Sequence, residues 1–396
     1  MTMEPDPRSD VVAAQYERWT YPEPIADLPS WLIDNWQWFD PSHAHLVLWP
    51  DRGYQPHLRI LVAGCGTNQA AVIAHTNPSA EVIGIDVSAS SLAHHEGLKQ
   101  RYGLRNLELH QLPIEEVGSL AREFDLIIST GVLHHLADPQ TGIDALASCL
   151  SRDGVMALML YGRYGRVGVD IMESVFRDMG LHQDEDSVTK VKAALDVLPP
   201  QHPVRGYLAN ADDTNFDAGL VDTFLHGRAR TYTVTECLEL VDNAGLEFQG
   251  WFFRSAYEPS PATGNDFLNA VRCLPDIERW SIMERINAHN ACHFFLACRA
   301  DRPHEQYRID TNTESIGSLI PVFRYRCGLD GDEIIKPGWR ARLSAVEYAI
   351  VSCIDGRRSI ADIVSDTGAP VAERQEVEGL FLALQSGDFI ELRIPG

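Results

Sequence analysis

The chain is short of positive charge. Its 396 residues carry 33 Lys+Arg against 56 Asp+Glu, a formal net charge of -23. A field of that sign repels phosphate backbones and anionic membrane surfaces, so nucleic acid is disfavoured as a partner unless a local basic patch overrides it. Paired cysteines are missing as well. The eight cysteines are scattered, with no C-x-x-C pair and no metal-ligand spacing, so no metal site is expected. With the polar, acidic start "MTMEPDPRSD", which does not read as a signal peptide, that scatter points to a reducing cytoplasm. No apolar run approaches the roughly 18 residues of a membrane span, and no internal repeat or low-complexity tract stands out. A soluble, cytoplasmic protein with no membrane partner is expected.

What is present is a strand–helix alternation. From Arg59 the segments "RILVA", "EVIGIDV", "NLELHQL", "FDLIISTG" and "VMALMLYG" read as strands. Helical patterns stand between them, punctuated by Asn77-Pro78, Gly103 and Asp138-Pro139. Asp153-Gly154 is expected to turn the chain into the fifth strand. Such alternation predicts an α/β fold with a doubly wound parallel sheet. Residues 165–230 break the rhythm and read as a helical insert. Thr233 and Glu236 then form a capping-box pattern before the helix "ECLELVDNAGL", and "EFQGWFF" and "ACHFFLACRA" read as the last two strands. Residues 1–50 crowd Tyr16, Trp19, Tyr21, Trp31, Trp36, Trp38 and Phe39 into a helical, aromatic segment. That segment could dock on the core or cover a ligand as a lid. After Arg302-Pro303 the polar stretch "HEQYRIDTNTESIGS" reads as a linker, and residues 316–396 as a small separate domain of three short helices and a final strand.

The glycine turn "VAGCGTNQ" closing the first strand is where a ligand would meet bare backbone. A Gly-x-Gly there is shared by nucleotide, flavin and adenosyl sites. Three features separate them. The dinucleotide fingerprint wants a third glycine where this chain has Gln69. Asp86 ends the second strand twenty residues past Gly66, where a carboxylate can accept both ribose hydroxyls. "FDLIISTGVLHHLADP" sets small and apolar residues at the end of the fourth strand and holds no nicotinamide-handling motif.

On "VAGCGTNQ", "GIDVS" and "FDLIISTGVLHHLADP", residues 57 to 300 resemble the class I S-adenosylmethionine-dependent methyltransferases. The resemblance implies a Rossmann-like, seven-stranded sheet whose last strand is antiparallel, over a catalytic domain of residues 51–303, and S-adenosyl-L-methionine as cofactor. It implies that Gly64 and Gly66, in the turn with Ala63, Cys65, Asn68 and Gln69, approach the methionine part, and that Asp86, beside Val87, holds the ribose. The adenine would lie near Leu112, Pro113 and Ile114, and Thr130 and Gly131 would lie under the ligand. Many relatives place an acid after the third strand for the adenine amino group. Here the chain reads "HQLPIEEV", leaving Glu115 or a backbone group for that contact.

Methyl transfer needs an acceptor held in line and water kept out, with a base only if the acceptor must lose a proton. His134, His135 and Tyr161 lie at the ligand-binding rim of such a sheet and are the candidates for catalysis. Tyr16, Trp19 and Tyr21 are candidates for the lid. Arg163 or Arg166, and the cluster His226, Arg228 and Arg230, could meet an acidic group on the acceptor. The alternatives for each are a packed histidine or a solvated arginine. The C-terminal segment resembles a winged-helix domain with mixed charge, which fits a docking module or a domain packed on the core or on a second subunit. The leading expectation is methyl transfer to a small molecule. A peptide acceptor docked by the C-terminal domain, a non-catalytic cofactor-binding scaffold and a nicotinamide-dependent dehydrogenase are the rivals. A homodimer stays open.

Overall fold

The computed structural model describes residues 7, 10–259, 265–309, 316–366 and 374–395. The chain divides into two compact units. The first holds residues 1–37, 56–250 and 284–300, and the second residues 38–55, 251–283 and 301–396.

Seven strands form the sheet on which the first unit is built: β1 (Arg59–Ala63), β2 (Glu81–Asp86), β3 (Leu107–Gln111), β4 (Phe124–Thr130), β5 (Leu150–Tyr161), β6 (Leu246–Trp251) and β7 (Cys292–Arg299). Their order across the sheet is β3-β2-β1-β4-β5-β7-β6. β1, β2, β3, β4 and β5 pair in parallel, while β7 runs antiparallel to β5. The central strands are buried on both faces, as in β1, where Ile60, Leu61, Val62 and Ala63 are all at 0% exposure. That is why they read as continuous apolar runs without alternation. Strand order reverses between β1 and β4, and the crevice beyond the carboxyl ends of those two strands is where such sheets take a ligand.

The helix Gln69–Thr76 follows β1, and Ala89–Tyr102 follows β2 and ends on Gly103 in the left-handed conformation, a C-terminal cap. Asp138 caps Pro139–Ser148 by accepting from the Gln140 amide, and Thr233 and Glu236 close a full capping box on Val234–Asn243. One expected turn is absent. Asp153-Gly154 lies inside β5, which already pairs with β4 at Leu150, and the irregularity is a shift of register between Phe124 and Leu126. Between those pairs β5 advances from Leu150 to Val155, three residues more than β4, and takes them up as a bulge.

Residues 165–230 form helices Val167–Asp178, Glu185–Val197, Val204–Leu208 and Asp217–Phe224. They share an apolar core of their own around Met172, Phe176, Val191 and Phe224.

The second unit contains an antiparallel three-stranded sheet, Gly328–Asp330, Glu333–Lys336 and Trp339–Arg342, and a two-stranded pair, Ile320–Phe323 with Ile390–Arg393. Helices Ala345–Val351, Ile360–Asp366 and Arg374–Ser386 accompany them, and the core gathers Val351, Ile360, Ile363, Phe381 and Ile390. Arg254 meets Glu391 through two bonds of 2.9 Å, and Arg324 reaches Asp388 at 2.9 Å. Residues 310–315 of the expected linker lie outside the described residues. Among the described residues no helix is long and apolar enough to cross a membrane.

Candidate active site

The glycine turn takes the shape its sequence predicts. Gly64 and Gly66 have φ of +73° and +58°, a region other residues enter only with strain. The turn is tied to β2 by the Gly64 and Cys65 amides, which donate to the Ile85 carbonyl at 2.9 and 3.0 Å. Room is also short. A Cβ on Gly64 would stand 2.4 Å from a Val132 methyl, and one on Gly66 would stand 2.9 Å from Pro22 Cδ and 3.2 Å from the Tyr21 carbonyl oxygen.

Asp86 is 9% exposed at the end of β2. Its carboxylate accepts the Gly66 amide at 2.8 Å and the Ser88 amide at 2.9 Å. Burial pushes its pKa up to about 6, against the downward pull of those backbone bonds. Each carboxylate oxygen keeps a lone pair that ribose hydroxyls can use. Leu112 donates its amide to the Asp86 carbonyl at 3.0 Å, and Gln111 reaches the Val87 carbonyl at 3.0 Å, which brings Leu112, Pro113 and Ile114 beside the β2 end. Glu115 is half-buried and its Oε2 has no protein partner. An unpaired buried acceptor at that position suits the amino group of an adenine. Gln69 donates to Thr130 Oγ1 at 3.2 Å, joining the glycine turn to the end of β4, where Gly131 has φ +76°. Asn68 precedes its helix without making a side-chain cap. The residues therefore fit an adenosyl cofactor along the β1–β2–β4 rim.

The N-terminal segment lies on this rim. Thr67 Oγ1 donates to the Pro22 carbonyl at 2.8 Å, and Asn68 Nδ2 to the Glu23 carbonyl at 3.3 Å. Glu17 accepts the amides of Ala89 and Ser90, and the Tyr16 carbonyl accepts from the Ser88 and Ser90 hydroxyls at 3.4 and 3.3 Å.

Side chains of Tyr16 and its neighbours belong to a second, polar cluster. Tyr16 donates its phenol proton to Asp222 Oδ1 at 2.8 Å, and Tyr161 donates to Asp222 Oδ2 at 3.2 Å. Asp222 is 2% exposed on the insert helix Asp217–Phe224, and burial raises its pKa while the Tyr16 bond lowers it. His134 and His135 follow β4 on a 3-10 turn and are buried. The His134 ring lies 3.8 Å from the Tyr161 ring, centroid to centroid, and neither of its nitrogens has a protein partner. His135 Nδ1 donates to the Arg228 carbonyl at 2.8 Å, so the ring is unprotonated at Nε2, which also lacks a protein partner. The His226 ring stacks on His135 at 3.8 Å. His226 Nδ1 accepts the Arg228 amide at 3.0 Å, so the neutral ring carries its proton on Nε2, 3.3 Å from the Tyr16 oxygen. Burial holds His134 and His226 well below the usual histidine range and His135 down to about 3, so all three are neutral at physiological pH.

His135, Asp222 and His226 are the one group of possible metal donors among the described residues, with ligand atoms within 4.8 Å of one another. Their chemistry argues for a hydrogen-bonded network. Both Asp222 oxygens already accept phenols, and the His226 lone pair is spent on the Arg228 amide.

Several residues expected at the site are engaged elsewhere. Arg163 pairs with Glu236 at 2.8 Å and reaches the Thr231 carbonyl, serving the capping box. Arg228 donates to the His135 carbonyl at 2.8 Å and pairs with Asp10, strapping the histidine turn and the N-terminal helix together. Trp19 turns to the insert, its indole donating to the Gln183 carbonyl at 3.1 Å. Tyr21 bonds Asp213 at 3.1 Å and stacks on Phe216. Conversely, Asp222 escaped the sequence reading. The signal was there, an acid in the apolar stretch "GLVDTFL" with no neighbouring cation.

The family described as "Methyltransferase domain" matches residues 55–190. An uncharacterized protein of Synechococcus sp. is 30% identical over 395 residues, spanning 96% of this chain and 91% of that one. Trans-aconitate 2-methyltransferase of Deinococcus radiodurans is 35% identical over 121 residues, which are 30% of this chain and 43% of that protein. Among solved structures, PKMT2 of Rickettsia typhi superposes with a TM-score of 0.64 at 14% identity, covering 90% of this chain and 75% of that one. A second structure of it is in complex with AdoHcy. At that identity the likeness is one of fold.

Proposed function

Since the chain belongs to the class I S-adenosylmethionine-dependent methyltransferases, we propose that it transfers the methyl group to a small-molecule acceptor held between the histidine turn and the insert. S-adenosylmethionine, when bound, supplies an electrophilic methyl carbon on a sulfonium centre. Gly64, Gly66 and Asp86 would hold it, with Leu112, Pro113, Ile114 and Glu115 around the adenine. The observation that carries the reading is Tyr16. Its carbonyl is bonded to the serines after β2 and its phenol to Asp222, so a single residue spans the cofactor rim and the polar cluster. A segment fastened at both places excludes water and favours an acceptor small enough to be enclosed.

The chain's own groups then have distinct tasks. His135 Nε2 offers a hydrogen-bond acceptor that orients an O–H or N–H of the substrate toward the methyl carbon. Held at about 3, its pKa makes it an orienting group and a poor store for the proton. Tyr16 and Tyr161 hold Asp222 in place, and Asp222 in turn holds their rings against the acceptor. His134 packs against Tyr161 with its ring tilted by 32° and fixes that face.

The test is to incubate the protein with methyl-labelled S-adenosylmethionine and, separately, the small-molecule and protein fractions of a cell extract. Label in the small-molecule fraction is expected. Label confined to the protein fraction would move the acceptor to a peptide.

A further inference from the structure

Arg166 stands just after β5 and is 1% exposed. Its guanidinium carbon lies 3.7 Å from the centre of the Tyr161 ring and 5.3 Å from that of Tyr207. Nη1 donates to the Tyr207 hydroxyl at 3.0 Å. Nη2 is buried and has no protein acceptor, and no carboxylate among the described residues forms an ion pair with the group. Asp170, Glu173, Asp213 and Asp222 feel its charge without bonding to it, and both oxygens of Asp222 are occupied by phenols. A buried guanidinium without a carboxylate is costly, since desolvation is not offset by a partner. Arg163, three residues earlier, shows the contrast, being paired with Glu236.

We propose that Arg166, with the Tyr207 hydroxyl beside it, anchors a carboxylate of the methyl acceptor, which places the substrate among carboxylate-bearing small molecules. This deepens the methyltransferase reading and rests on it. Arginine suits the task because its planar donors match a carboxylate and its flat face packs on tyrosine. A single carboxylate suits a guanidinium whose Nη2 has no bonded acceptor. A phosphate group carries about -1.5 to -2 at neutral pH and would overcharge a site that already contains Asp222. The guanidinium and the His134 ring pack on Tyr161 at 3.7 and 3.8 Å from its centre, so the tyrosine ring stands between the anchor and the histidine turn. The anchor thereby sets which end of the acceptor faces the methyl donor.

The test uses the full chain saturated with S-adenosylhomocysteine, titrated calorimetrically with acetate, succinate and benzoate, with acetamide and benzamide as uncharged counterparts, and with inorganic phosphate. At least one carboxylate is expected to bind tenfold or more tighter than its amide and than phosphate. Arg166→Met should remove that preference and Arg166→Lys should keep part of it. Arg166→Met should also melt at the same temperature or higher, because a charge kept for ligand binding burdens the free fold. Carboxylates bound no better than amides or phosphate, or bound equally by Arg166→Met, would overturn the anchor. So would an Arg166→Met protein that melts far lower or fails to fold, since the arginine would then be the structural counterion of Asp222. S-adenosylhomocysteine binding is read first in each protein. Its failure in the wild type strikes the methyltransferase reading, whereas its success followed by carboxylate failure strikes the anchor alone.

Discussion

The phenol of Tyr16 donates to the carboxylate of Asp222 across 206 residues of chain, at 2.8 Å. One partner sits on the N-terminal helix Val11–Arg18 and the other on the insert. Tyr16→Phe removes the donor while leaving the carbonyl that receives the Ser88 and Ser90 hydroxyls. Asp222 then loses one of two phenols, which costs about 1–3 kcal/mol for a buried acceptor. The expected result is a lower melting temperature and methyl transfer reduced tenfold or more. S-adenosylhomocysteine affinity should stay within a few-fold of wild type, read by calorimetry.

Asp86 links cofactor binding to pH. Its folded pKa of about 6 lies above the ordinary 3.8 because burial disfavours the anion. The penalty on the folded state is absent below the ordinary value, grows between the two, and is complete above the raised one. Ribose hydroxyls donate to the anion, so S-adenosylhomocysteine affinity should be level at pH 7–8 and fall by up to tenfold per unit below about 6. Asp86→Asn should bind more weakly at neutral pH and flatten that profile. A wild-type affinity unchanged between pH 7 and pH 5 would remove the ribose role from Asp86.

Gly66→Ala meets two obstacles, a φ of +58° and a Cβ position 2.9 Å from Pro22. Gly103→Ala meets only the first, with a φ of +63° and open space around it. Both should lose about 1–2 kcal/mol of stability to strain. Only Gly66→Ala should also weaken S-adenosylhomocysteine binding, by tenfold or more, because Tyr21 and Pro22 must shift from the turn.

In the second unit, Glu391 is 4% exposed and binds Arg254 with both oxygens. Glu391→Gln replaces a charge by an amide and leaves the half-buried Arg254 short of a charged partner. Losing the charge of such a half-buried pair costs about 1.5–3 kcal/mol. A clear drop in the thermal transition, checked by differential scanning calorimetry, is expected. Arg324 also loses a charge partner, since its Nη1 lies 3.5 Å from Glu391 Oε1, but keeps Asp388 at 2.9 Å.

The sheet was legible because its signals are local. Apolar runs mark the buried strands, and Gly103, Asp138 and Thr233 mark helix ends where the structure has caps. The glycine turn and Asp86 were legible for the same reason, both lying next to strands that bring them together. The polar cluster was only half legible. His134, His135, Tyr161 and His226 were visible as residue types near strand ends or in a charged loop. Their common partner Asp222 sits on an insert helix whose placement depends on long-range packing. Arginine identity misled in the same way. Arg163 and Arg166 look equivalent in "YGRYGR", yet the first bonds to Glu236 and the second bonds to no carboxylate among the described residues.

The two units are interleaved along the chain in six stretches, so the backbone passes between them five times. Residues 38–55 leave the ribosome well before the strand Ile390–Arg393 of the same unit, and the Pro50 carbonyl waits for the Ile394 amide. At ordinary rates of about 5–20 residues per second, the intervening chain takes on the order of 15 to 60 seconds to appear. During that interval Trp49 and Leu48, buried in the finished protein at 4% and 0%, have no finished unit to enter. A chain broken off before Ile390 would lack the strand that pairs with Ile320–Phe323 and the amide that meets Pro50, so it could not complete this unit.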